Sequence, residues 1–345
     1  MMKRWVFVAL LLGISAVGLG QKTDADMFTN PVLPTGPDPW VFTWHGHYYF
    51  TATTGKNLTL WETADISDLA DARKKVVWTP EPGKPWSRAI WAPELYRWGG
   101  KWYIYFAATD GAASGRRIFV VENAAEDPLD GSWTLKGQVS DATNQWAIDP
   151  DVFEVHGTYY MLWSGWPGGD RGVQNIYIAR MKDPWTIDSP RTLLSTPTYD
   201  WEKHSERLHD GGQVLVNEGP EALLPGDRVF VTYSASGCWT DEYSLGLLSA
   251  PEDSDLLSAA SWKKLDHPVF AENPAKGVYG PGHNGFFKSP DGKQDWIIYH
   301  ANPGPNQGCA AMRSPRIQRF TWNSDGTPNF GAPDATGMPL AKPSR

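Results

Sequence analysis

The chain has 345 residues, a formal net charge of −8 and no run of basic residues, which excludes a surface built to hold nucleic acid or another polyanion. Nineteen Trp, thirteen Tyr and thirteen Phe supply large flat apolar surfaces, most of them for a core and some free to stack on sugar rings. The opening MMKRWVFVALLLGISAVGLGQ sets Lys3 and Arg4 before an apolar run from Trp5 to Val17, with small residues at Gly18 and Gly20. That order reads as a cleaved secretory signal over 1–20, and the run is too short to span a membrane as a stable helix. The expectation is a protein of residues 21–345 that is secreted or periplasmic, with neither membrane nor nucleic acid as a partner.

Five strand-turn-strand units then follow in order: DPWVFTWHGHYYFTAT from Asp38, APELYRWGGKWYIYFAA from Ala92, DPDVFEVHGTYYMLWSG from Asp149, EGPEALLPGDRVFVTYSASG from Glu218 and HNGFFKSPDGKQDWIIYHANPG from His283. Each has alternating aromatic and β-branched residues on both sides of a glycine turn, where glycine supplies the positive φ that short hairpins need. The units recur every 55 to 70 residues or so, somewhat longer than the roughly 40 to 50 of a four-stranded propeller blade, so extra loops are expected on one face. The fold class is therefore all-β, a five-bladed β-propeller in a single domain. Phe320 to Trp322 is expected in the strand that closes the ring. Cys238 and Cys309 follow the second strands of neighbouring units, and an exported setting permits them to join; two buried thiols are the alternative.

Counting back from the turn glycines selects the chemistry. Asp38, Asp149 and Glu218 each stand eight residues before Gly46, Gly157 and Gly226, and His283 stands nine before Gly292. Opening strands of propeller blades line the central channel, so these residues should converge at one mouth. Glu94 and Asp151 lie two residues further along and read as structural, while Glu221 has the opposite parity and is expected to point away from the channel. Converging carboxylates in a Trp-rich mouth suit glycosidic bond cleavage, in which one acid stays protonated to serve the leaving oxygen and another is ionised to activate water. A third carboxylate raises its neighbour's pKa by repulsion. A solvated or metal-holding ring of acids is the bland alternative.

On these motifs the chain resembles glycoside hydrolase family 43, five-bladed propeller hydrolases acting on arabinan, arabinoxylan and xylan. The resemblance implies that Asp38 in GPDPWVF is the general base, Asp149 in AIDPDVF tunes the acid and orients substrate, and Glu218 in NEGPEAL is the general acid. It also implies hydrolysis with inversion, with no cofactor required for the chemistry. It implies a structural calcium or other cation held through water near His283 of GPGHNGF, for which a hydrogen-bonded core histidine is the alternative. Trp91 of IWAPEL is implied as a wall of the sugar pocket, with packing as its other reading. Arg316 of SPRIQRF is implied to reach the active-site carboxylates or sugar hydroxyls, or else to pair with an acid at the ring closure.

DPWV, IWAPEL, YSASG and RIQRFTWNSDGTPNFG resemble the exo-acting α-L-arabinofuranosidase branch more than the others. The sequence carries no C-terminal sandwich of the sort found in many β-xylosidases of the family. The function this implies is removal of terminal arabinofuranose from plant cell-wall arabinan or arabinoxylan. A β-xylosidase or endo-arabinanase using the same acids is the alternative enzyme, and a non-catalytic carbohydrate-binding propeller is the alternative outside catalysis.

Overall fold

A computed structural model describes residues 1–2, 26–169, 172–205 and 213–345. The predicted signal segment falls outside them apart from its first two residues. Four strands build the first blade, Trp40–Trp44, His47–Thr51, Leu58–Thr63 and Arg73–Trp78, each paired antiparallel to the next. The second blade repeats the plan with Arg88–Trp98, Lys101–Thr109, Arg117–Asn123 and Thr134–Val139. The remaining blades open with Ala147–Val155, Leu215–Leu223 and Tyr279–Lys288. All five predicted hairpins are present, turning at or beside the predicted glycines.

Apolar side chains between neighbouring blades hold the ring. Trp40 and Leu60 of blade one meet Leu95 and Trp102 of blade two; Tyr105 and Val120 meet Val152 and Met161; Leu162 and Ile178 meet Val231 and Leu248; Leu245 meets Ile297 and Tyr299. Val41, Tyr48 and Phe50 pack on Phe287, Trp296 and Ile317, which brings blade five back to blade one. Non-directional burial of flat rings suits such faces, because twisted sheets meet over broad areas. The N-terminal segment completes the seam. Met27–Thr29 pairs with Pro339–Ala341, and the Asn30 amide both donates to the Ile317 carbonyl and accepts from the Ile317 N–H. Phe320 to Trp322 thus belongs to the third strand of blade five, which the N-terminal segment laces, while the terminal strands make the joining pair.

Four of the five opening strands carry the same irregularity. In blades two to five the ladder skips two residues opposite one, between Trp91 and Glu94, Ile148 and Asp151, Glu218 and Glu221, and Gly282 and Gly285. The first skipped residue lies in the left-handed region each time: Ala92 (φ 41°), Asp149 (φ 53°), Gly219 (φ 52°) and His283 (φ 46°), with Asp38 (φ 55°) at the matching place in blade one. A bulge of this kind bends the strand and re-aims the side chain, and a non-glycine residue there costs about 1–3 kcal/mol that surrounding contacts must offset.

The bulges correct two sequence expectations. In blade four the residue equivalent to Asp38 and Asp149 is Gly219, and Glu218 is equivalent to Trp91 and Ile148. The glycine count reached Glu218 because blade four turns through four residues, 224–227, rather than through two as at His156 and Gly157. Glu221 does not point away either. It sits opposite Thr232 as Glu94 sits opposite Tyr105 and Asp151 opposite Leu162, and acidic oxygens of the three lie within 4.8 Å of one another.

Candidate active site

One cavity of about 630 Å³ opens over the bulges and is lined by Asp38, Asp149, Glu218, His283, Trp91 and Arg313, among others. The three carboxylates predicted from register are therefore brought together, at 8%, 4% and 8% exposure. A second cavity of about 780 Å³ shares none of these residues; it lies among Asp65, Asp68, Lys342 and Arg345, whose charges pair with one another.

Asp38 is surrounded by partners. Its Oδ1 accepts from Arg313 Nη1 at 2.9 Å, its Oδ2 accepts from the Thr53 hydroxyl at 2.6 Å, and its N–H donates to His300 Nδ1 at 3.0 Å. Because that nitrogen accepts, the His300 proton sits on Nε2 and the ring is neutral. Burial alone would push the Asp38 carboxyl up, but the Arg313 guanidinium, the facing His283 and His300 rings and the Thr53 hydroxyl hold it well below the usual range. With buried His300 neutral, Arg313 is the largest of the influences that lower it. Asp38 is thus ionised.

Glu218 is in the opposite condition. Burial raises it; the Tyr243 hydroxyl, donating to Oε1 at 2.9 Å, and Arg313 lower it, while Asp38 raises it, and the outcome is about 7. Asp149 is raised well above its usual value by burial first and then by repulsion from Glu218 and Asp38, although its Oδ2 accepts the Gly219 N–H at 3.1 Å. Among three acids in one cavity, one is an ionised base and one holds a proton near neutrality, the pairing that acid–base cleavage needs.

Trp91 does line the cavity, with the Arg116 guanidinium 3.7 Å from its ring centroid on one face. Trp61, below the Lys74 ammonium, forms another part of the wall. Arg316 does not take part. It is fully buried in the third strand of blade five opposite Tyr299, and its Nη1 donates to the Thr336 hydroxyl at 2.8 Å. The cavity arginine is Arg313, just before that strand, where the chain still lies at the mouth. The sequence signal was the spacing of Arg313, Arg316 and Arg319, which did not say which one meets the pocket-side end of the strand. Thr53, Tyr243 and His300 were also missed, since all lie outside the opening strands.

Cys238 and Cys309 form a disulfide that lines the cavity and ties the loops after the second strands of blades four and five. His283 is buried with Nδ1 3.3 Å from Asp38 Oδ1. Arg313 already supplies positive charge to that carboxylate, and among the described residues His283 belongs to no convergent set of three ligands. A cation held there would be bound chiefly through water, with His283 as its protein contact. The Glu94, Asp151 and Glu221 cluster lies deeper. Tyr96 has one hydroxyl proton and bonds both Glu94 and Asp151 while accepting the Val152 N–H, so one of those two acids carries its own proton.

A propeller whose channel mouth pairs a proton-holding glutamic acid with an ionised aspartate belongs to the glycoside hydrolases. The chain matches the model of glycosyl hydrolases family 43 over residues 28–328, and it is a member of that family. It is 38% identical over 351 residues to the extracellular exo-α-(1→5)-L-arabinofuranosidase of Streptomyces avermitilis, covering 96% of this chain and 70% of the relative. It is 39% identical over 280 residues to a protein of the same name from Streptomyces chartreusis, covering 79% and 82%. The solved structure of an α-L-arabinofuranosidase from Lactobacillus brevis superposes with a TM-score of 0.83 at 35% identity, covering 90% of this chain and 98% of that one.

Proposed function

We propose that this glycoside hydrolase is an exo-acting α-L-arabinofuranosidase that removes terminal arabinofuranosyl residues from arabinan or arabinoxylan with inversion. The observation that carries the reading is the contrast between Asp38, held ionised by Arg313 and Thr53, and Glu218, protonated near neutrality in the same cavity. Asp38 takes a proton from a water as that water attacks the anomeric carbon, and Glu218 gives its proton to the departing glycosidic oxygen. Asp149, fixed by the Gly219 N–H, repels Glu218 when both are charged, so the two do not ionise together, and it faces the sugar. Trp91 is the aromatic wall of the pocket.

Relatives named for arabinofuranosidase activity support the substrate, and their description as extracellular supports export after loss of residues 1–20, leaving 21–345 as the catalytic propeller. The test uses an aryl α-L-arabinofuranoside with the wild type, Asp38→Ala and Glu218→Ala. Turnover by the wild type and its loss in both variants is the expected result; near-full activity in either variant removes that assignment. Proton NMR of the first-formed sugar is expected to show the inverted anomer. Arabinose as the sole product from linear arabino-oligosaccharides separates exo from endo action, and xyloside turnover in place of arabinoside turnover would favour the β-xylosidase alternative.

A further inference from the structure

The hydrogen bonds behind Glu218 run in one direction. The His283 N–H donates to the Ser234 hydroxyl oxygen at 2.8 Å, so the Ser234 proton is free to be given onward, and Ser234 bonds the Tyr243 hydroxyl. Tyr243 then has a single proton to place, and its hydroxyl donates to Glu218 Oε1 at 2.9 Å. An oxygen that accepts there is not the one that carries the acid's own proton. The Tyr243 ring is buried and lies parallel to His300, 6° apart with centroids 5.7 Å apart, and His300 accepts the Asp38 N–H. Room for Tyr243 depends on Gly282, since a Cβ at that position would collide with the tyrosine ring.

We propose that Tyr243 and His300 form one bracket that positions both working carboxyls, with Tyr243 assigning the catalytic proton to Oε2 of Glu218 and His300 fixing the backbone of Asp38. This rests on the reading of Glu218 as acid and Asp38 as base. Both bracket members are positioning residues and make no contact with the reacting bond. Tyr243 holds the Oε1 side of the carboxyl, so the proton delivered to the glycosidic oxygen leaves from Oε2, and the resulting carboxylate keeps the Tyr243 bond as its charge appears. His300 stabilises the left-handed backbone at Asp38, so the base stays aimed at the attacking water without a charge of its own.

The two members leave different signatures. Tyr243→Phe removes one oxygen and keeps the ring. The other groups acting on Glu218 are Asp38, Asp149 and Arg313, all unchanged in this variant. Loss of a hydrogen bond to the charged form lets Glu218 hold its proton to higher pH, so the alkaline limb of kcat/KM moves up. Misassigned protons matter only where the leaving group needs one, so turnover of an alkyl or sugar glycoside should fall about tenfold or more, within the general-acid contribution, while a dinitrophenyl glycoside is nearly unaffected. Ser234→Ala should repeat this more weakly. His300→Phe keeps a ring but has no acceptor for the Asp38 N–H, and it should lower kcat about equally for both leaving groups, with KM little changed.

The assay is a pH profile on good and poor leaving groups, run with whichever aryl glycoside the wild type hydrolyses. Wild-type turnover of the arabinofuranoside tests the substrate reading separately from the bracket. An unmoved alkaline limb in Tyr243→Phe, or equal losses on both leaving groups, overturns the assignment of Tyr243; a leaving-group-dependent loss in His300→Phe overturns that of His300. A merely structural role would lower the melting temperature and leave the limb and the leaving-group ratio where they were.

Discussion

Arg313→Met is the most direct test of how the base is kept ionised. Arg313 Nη1 stands 2.9 Å from Asp38 Oδ1, and both side chains are nearly closed to solvent. Taking the charge centres as about 4 Å apart and an effective dielectric of about 20, the lost attraction is about 4 kcal/mol, equivalent to about 3 pH units on the limb that reports Asp38. The sign follows from the protonation state. A depressed carboxyl stays charged to low pH, so without the guanidinium Asp38 protonates at higher pH and the acidic limb of kcat/KM moves up. Arg313 also lowers Glu218, so the alkaline limb should move up too, by less, and the whole bell travels toward alkaline pH. Removing one partner of a buried pair also destabilises, by about 3–5 kcal/mol, so melting temperature is followed in parallel and Arg313→Lys serves as the charge-retaining control. An acidic limb that stays in place in folded Arg313→Met would refute the argument that this arginine ionises the base.

Further outcomes are expected elsewhere. Gly219→Ala places a Cβ at φ 52° with the His283 ring 3.0 Å away, so a loss of about 1–3 kcal/mol should appear in denaturant melts, together with reduced activity. Cys238→Ser with Cys309→Ser opens a bridge spanning 71 residues; chain entropy assigns about 4 kcal/mol to it, read as a lower melting temperature, and kcat/KM should fall because the cavity loops are untied. Burial, with repulsion among neighbouring acids, raises Glu94 and Glu221 well above the usual range, and burial raises Asp151 to about 7. An acid raised in the folded state binds more protons folded than unfolded, so its penalty is absent below the unfolded pKa and grows as pH rises toward the folded one. Glu221→Gln should therefore stabilise the protein near pH 7 and make almost no difference near pH 4, as measured by thermal melts across that interval.

The hairpins were legible because alternation and turn glycines are local signals. Asp38 and Asp149 followed from them because blades one and three turn alike. Glu218 was selected through a count that the longer turn of blade four distorts, and the same distortion gave Glu221 the wrong face. The bulge behind both misreadings shows in one dimension only as a residue before proline, as in Asp38-Pro39, Ala92-Pro93, Asp149-Pro150 and Gly219-Pro220. Arg313, Tyr243 and His300 could not be placed because they reach the site from the ends of strands or from loops, where a shift of three residues exchanges a cavity residue for a buried one such as Arg316.

Blades three and four share a continuous sheet, since Val173 and Gln174 pair in parallel with Leu215 and Val216. Asp149 and Glu218 therefore ride on a single welded slab, whereas Asp38 belongs to blade one, which packs against blades two and five rather than against either of those and is clamped from blade five by Arg313 and His300. Any breathing of the wheel leaves the donor and its tuner moving together and shows up instead as a change in the gap that the hydrolytic water must fill.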